Sequence, residues 1–146
     1  MALLAELEAA LSYLGLAAAI MSYLGYRSEF RSLICTSSDR PSSCKLLYSI
    51  PQAFFLGRVH FSVLSLVFFS TMSVLATAKL LLDPSGWHHV MYIVENAWKT
   101  LWILALPFIP YLVYLELAVA RAICVWCTIM HVIVVLMSAY VLSSIF

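Results

Sequence analysis

The sequence predicts an all-α fold, an integral membrane four-helix bundle, on three observations. Of 146 residues, 64% are hydrophobic and only 10% charged, with mean hydropathy +1.01; water-soluble domains carry roughly a quarter charged residues. The few charges are also segregated. Residues 9–26, 59–78, 100–115 and 122–146 contain no Asp, Glu, Lys or Arg. Each stretch approaches the roughly 20 apolar residues that a membrane-spanning helix needs, and only helices or closed barrels satisfy the backbone inside lipid. The third stretch is short, but Trp98, Trp102 and residues 117–119 extend its apolar character. The spans are therefore set at about 7–26, 56–80, 98–117 and 122–145, within one domain covering 1–146.

The first element opens on "MALLAELEAA", acidic and without Lys or Arg. A secretory signal needs a basic start, so a retained span is expected. Net charge is +1, which gives no electrostatic footprint for nucleic acid. The first connection, residues 27–58, begins with the polar "RSEFRSLICTSSDRPSSCK" and ends with "LLYSIPQAFFLG", apolar but broken by Pro51 and Gly57. The second half reads as an interfacial or re-entrant segment, which survives at membrane depth only against protein or a cavity. His60, at the start of span 2, reads as interfacial. The second connection, residues 79–99, holds "DPSGWHH", a turn signal that leaves His88 and His89 solvated. Pro107 and Pro110 fall inside span 3 and predict a kink. The third connection, residues 116–121, is so short that spans 3 and 4 must be antiparallel neighbours. Trp87, Trp98 and Trp102 read as aromatic-belt residues, and Arg121 as a snorkelling arginine.

All four cysteines lie where the hydrophobicity breaks off. Cys35 and Cys44 occupy the first connection, while Cys124 and Cys127 form the C-x-x-C of "RAICVWCTIMH". Two crossings separate the first connection from the third, so both pairs meet at one membrane face. At a helix start the backbone dipole and open N–H groups favour a thiolate, the attacking species in disulfide exchange. Cys124 falls in about the first turn of span 4 as the outer sulfur, and Cys127 one turn deeper toward the hydrocarbon. Two dithiols of unlike mobility on one face make an electron relay. Structural disulfides and a zinc site stand beside that reading. No metal site is assigned, because the eight residues between Cys35 and Cys44 are wide for a zinc knuckle. His131 shares a helical face with Cys127. A quinone carbonyl, or a backbone carbonyl released by the prolines, would satisfy it.

Four helices, a cysteine pair after the first and C-x-x-C opening the fourth resemble the vitamin K epoxide reductase (VKOR) family. "CVWCTIMH" is similar to the span-4 motif of its bacterial and archaeal members, and "CKLLYSIPQAFFLG" to the stretch leading into span 2. The analogous DsbB enzymes carry C-x-x-C in the first loop, the reverse order. The resemblance implies that Cys127 is the thiol beside a lipid quinone, of ubiquinone, menaquinone or vitamin K type. Cys124 would exchange with Cys44, and Cys35 would complete a shuttle facing a thioredoxin-like redox protein. His131, Tyr48, Gln52 and Phe55 would line the quinone site. Where the family has a serine six residues past the second loop cysteine, this chain has Ile50, with Ser49 adjacent. The expected function is a membrane thiol–disulfide oxidoreductase supporting disulfide formation. Its alternatives are a reductase of vitamin K quinone or epoxide, a metal- or haem-binding membrane subunit, and a bundle with inert cysteines. Arg27, Arg31, Arg40, Lys45, Arg58 and Arg121 lie on the cysteine side, against Lys79 and Lys99 on the other. Lys and Arg collect on the cytoplasmic side, which places the thiols on the cytoplasmic face of the cell membrane.

Overall fold

The computed structural model describes residues 2–27, 50–55, 57–82, 88–121 and 123–145. Cys35, Cys44 and Tyr48 lie outside the described residues, as does Trp87. Helix α1 spans Ala2–Tyr26, α2 Phe61–Leu82, α3 His88–Ala105, α4 Phe108–Tyr114 and α5 Val125–Ile145. Four helical stretches are long and apolar enough to cross a membrane: Ala5–Tyr26, Phe61–Leu82, His88–Ala120 and Val125–Ile145. The protein is a four-helix membrane bundle. Helix α1 packs on α2 and α5, and α3 packs on the same two, so the helices close a ring.

Helix–helix contact in lipid rests on close approach and on polar side chains that bond across helices. Both occur between α1 and α2. Ser73 donates to the Ser12 carbonyl at 3.3 Å, and Tyr13 and Thr77 share a hydrogen bond of 2.6 Å. Gly15 meets the face of α2 at Phe69, whose ring occupies the space a Cβ would need. Between α5 and α3, Ser138 donates to the Trp102 carbonyl at 2.9 Å.

Trp98 and Trp102 do not form a belt; both are fully buried in the main core with Phe69, Met72, Met130 and Met137. Their rings meet edge to face at 6.0 Å, and Trp102 meets Phe68 likewise at 5.4 Å. The cause is the start of α3 at His88, earlier than the charge-free stretch suggests. That puts Trp98 nearly three turns into the span rather than at its boundary. His88 and His89 are exposed at the helix start.

At the end of the bundle away from Cys124, Lys79 is buried with its Nζ 2.5 Å from Glu8 Oε2 and 2.7 Å from Glu95 Oε2. Lys99 adds a bond to Glu95 at 3.1 Å, and Lys79 lies over the Trp98 ring, 4.1 Å from its centroid. One ion cluster thus joins α1, α2 and α3.

The third span is discontinuous. α-Helical bonding breaks at Leu106 and Pro107, where Leu106 donates to Ile103 and Ile109 to Leu106 in three-residue steps. Pro110 sits in the first turn of α4, where a missing N–H costs little. The chain then widens into a π-helical turn over Leu115–Ala120, so residues 116–120, expected as a connection, still belong to the span. Arg121 ends it in the left-handed conformation, φ 48° and ψ 38°, with its N–H on the Glu116 carbonyl. A non-glycine residue there is uncommon and strained.

The apolar segment before α2 is a short cap on the bundle. Pro51–Ala53 make a 3-10 turn, and Phe54–Phe55 pair antiparallel with Val59–His60. Gly57, at φ 70°, turns this hairpin. Ile50 and Ala53 pack on Leu115, Ala120 and Cys124.

Candidate functional site

The site forms where the hairpin, the end of α1, the start of α2, the π turn and the start of α5 meet. Cys124 is the residue before α5 rather than part of its first turn. Its carbonyl accepts from the Thr128 N–H at 2.9 Å and the Thr128 hydroxyl at 3.0 Å. Its Sγ accepts from the Cys127 N–H at 3.4 Å. Sulfur here fills the role that a Ser or Asp oxygen fills at an ordinary helix N-cap. The C-x-x-C spacing supplies this geometry, because the third helical N–H belongs to the second cysteine.

Cys124 is also 2% exposed, beneath Ile50, Ala53, Leu115 and Ala120. It was expected to be the outer, accessible sulfur, but the hairpin segment folds back over it. Cys127, one turn on, is half-buried, with its Sγ 3.6 Å from the Ser22 hydroxyl of α1. Ser22 in turn bonds Ser62 at 3.4 Å. The Ser62 N–H donates to His60 Nδ1 at 3.1 Å.

His60 is buried rather than interfacial, 5% exposed. Its ring stacks on Tyr26 with centroids 4.2 Å apart and meets Phe54 edge-on at 5.2 Å. Burial pulls its pKa down to about 4, so at neutral pH it is an uncharged acceptor.

His131 lies one turn beyond Cys127 on α5, and its Nδ1 is 3.8 Å from Glu116 Oε1. Glu116 is 6% exposed. Cys124 acts on its carboxyl through the backbone N–H and the thiol. These side chains border a small cavity of about 50 Å³, mostly apolar in surface, to which Ser22, His60, Ser62, Glu116, Cys127 and His131 bring the polar groups. A larger cavity of about 270 Å³ adjoins it, almost wholly apolar, with Phe55, Phe61, Phe68, Phe108 and Leu101 in its walls. Phe61, Ser65, Leu112, Met130 and His131 line both. A dry cavity of about 150 Å³ holds benzene, so the larger one has room for a substituted ring. The arrangement presents a thiol, with a few polar side chains, at one end of a greasy slot.

Of the residues expected around a ring, His131 and Phe55 line the apolar cavity. Gln52 is exposed, and its carbonyl accepts from the Tyr111 hydroxyl at 3.2 Å. It holds the hairpin against α4. Glu116, Ser22 and Ser62 escaped the sequence reading. Glu116 was placed in a connection because an acid usually ends a span. The signal was its flanks: "YLELAVA" is apolar on both sides, and an ionisable residue inside a span is a functional candidate.

The chain matches the model of the vitamin K epoxide reductase family over residues 7–142. It belongs to the VKOR family. No curated protein and no solved structure gave a significant match. VKOR proteins are multi-pass membrane oxidoreductases linked in general to quinones. The buried C-x-x-C beside an apolar slot is consistent with that chemistry. Among the described residues no group of His, Cys, Asp or Glu has metal-site geometry.

Proposed function

We propose that this VKOR-family protein is a quinone-dependent thiol oxidoreductase that oxidises a thioredoxin-like partner. A reduced partner's dithiol passes two electrons to the Cys35–Cys44 disulfide. The Cys44 thiolate then attacks Cys124 of the Cys124–Cys127 disulfide, and the reduced C-x-x-C passes the electrons to a lipid quinone in the apolar cavity. The S–S bond re-forms as the quinone gains two electrons and two protons. His131 and Phe55 hold the ring, with Tyr48 and Gln52 at the loop side.

One observation carries this reading: Cys127 borders a small cavity whose walls continue into the larger apolar one. A lipid-soluble acceptor can reach that thiol without crossing water. Chain reach supports the other half. Ile50 packs in the cluster that covers Cys124, and the six residues back to Cys44 extend at most about 20 Å. The Lys and Arg distribution supports a cytoplasmic face for the thiols.

The test is reduction of a short-chain quinone by dithiothreitol with each cysteine replaced by Ala. Loss in Cys124→Ala and Cys127→Ala, with activity kept in Cys35→Ala and Cys44→Ala, is the expected pattern. With a thioredoxin-like dithiol as donor, all four variants should fail. Equal behaviour of the four with both donors would end the relay. Impermeant maleimide labelling of single cysteines introduced into residues 27–58 of intact cells reads the face; ready labelling from outside would reverse it.

A further inference from the structure

The redox step moves protons as well as electrons, and one buried acid stands where a proton must travel. We infer that Glu116 and His131 form a proton relay between the C-x-x-C pair and the quinone. Here His131 touches the quinone, and Glu116 is a positioning residue that acts through it. This inference rests on the function proposed above and names a device within that site.

Three observations carry it. Glu116 is a buried carboxyl inside a span, on a π-helical turn, a distortion that recurs at functional sites. Its Oε1 lies 3.8 Å from His131 Nδ1, and both residues line the small cavity that Cys127 also borders. His131 in turn lines the larger cavity as well as the smaller one, which puts an imidazole between the thiol and the space proposed for the quinone. The ionisable groups facing Glu116 are His131 and Cys127 on α5, Cys124 before it, and His60 from the hairpin. Arg121 is exposed and reaches Glu116 only through its backbone N–H.

The chemistry balances. Two S–H bonds break and one S–S bond forms, while the quinone's two oxygens each gain a hydrogen. Glu116, as carboxylate, takes the proton that leaves Cys124 and passes it to His131 Nδ1. The same ring releases its Nε2 proton to one quinone oxygen. The proton of Cys127, which borders the cavity continuous with the quinone's, goes to the second oxygen. Glu116 and His131 end as they began, apart from an exchange of imidazole tautomer.

The test compares wild type, Glu116→Gln, Glu116→Asp, His131→Gln and the Glu116→Gln/His131→Gln double variant in dithiothreitol–quinone turnover from pH 5 to 9. Glu116→Gln keeps shape and hydrogen bonding but cannot accept a proton. The relay predicts a fall in kcat of about 100-fold, a quinone KM within about twofold, and loss of the acid limb of the pH profile. Glu116→Asp should recover part of kcat together with that limb. The double variant should be no slower than the slower single one, since one path is cut twice. Wild-type kcat and acid limb in Glu116→Gln would overturn the relay while leaving the proposed function standing. If Glu116→Gln does not fold, Glu116→Asp and His131→Gln decide, and an unaltered profile in both overturns it. A wild-type protein that reduces no quinone at all overturns both readings.

Discussion

Ser22 and Cys127, 105 positions apart, bring a hydroxyl and a sulfur to 3.6 Å at the meeting of α1 and α5. This ties the first helix to a thiol on the last. Cys127 in Ser22→Ala loses a donor to its reacting form, a contact worth about 1 kcal/mol, or roughly fivefold in rate. Alkylation of Cys127 by iodoacetamide at neutral pH should slow by about that factor, and Ser22→Thr should restore it. Unchanged alkylation in Ser22→Ala would reduce the serine to a packing residue.

The ion cluster of Glu8, Lys79 and Glu95 should matter for stability and not for turnover. Lys79→Met leaves the buried Glu8 carboxyl without its cation and the half-buried Glu95 with Lys99 alone, and breaking a buried pair costs about 3–5 kcal/mol. Thermal unfolding in detergent should fall accordingly, while Glu8→Gln/Lys79→Met loses less than Lys79→Met alone. A single variant as stable as wild type would show the cluster to be solvated.

Gly15 sets the spacing of α1 against α2. A Cβ at that position meets the Phe69 ring, so Gly15→Ala should destabilise by about 1–3 kcal/mol through overpacking. Phe69→Leu in the same chain should recover much of the loss. Additive destabilisation in the double variant would contradict the contact.

His60 gives the fold a pH dependence of known sign. Its folded pKa, about 4, lies below the ordinary histidine value of 6.5, so between these values the unfolded chain binds more protons. Stability is then full above about pH 6.5 and declines as pH falls toward 4. His60→Asn keeps an acceptor for the Ser62 N–H and cannot take a proton in this range. Its melting temperature should therefore change less than that of wild type between pH 6.5 and 4.

Composition and charge spacing are enough to reveal four spans, because lipid tolerates so few alternatives. The C-x-x-C motif likewise announces a helix start, and α5 begins one residue after Cys124. What hydropathy cannot carry is the difference between a polar residue that ends a span and one that is buried in it. Glu116 and the tryptophans were misplaced for that reason: both depend on where α3 begins and how the π turn extends it. Ser22 was illegible in another way. Its value comes from a partner on the far end of the chain, and no local pattern encodes that meeting.

In the function proposed above, the sulfur that seals the first turn of α5 also gains and loses electrons. A thiolate at Cys124 is a strong acceptor for the Cys127 N–H, whereas a disulfide sulfur is a feeble one. Reduction therefore strengthens this one hydrogen bond, whereas a Cys124–Cys127 disulfide would replace it with a covalent link across the same turn. The first turn of α5 would then be held by different means in the two redox forms, and a change in its stability would shift the balance between them without touching either cysteine.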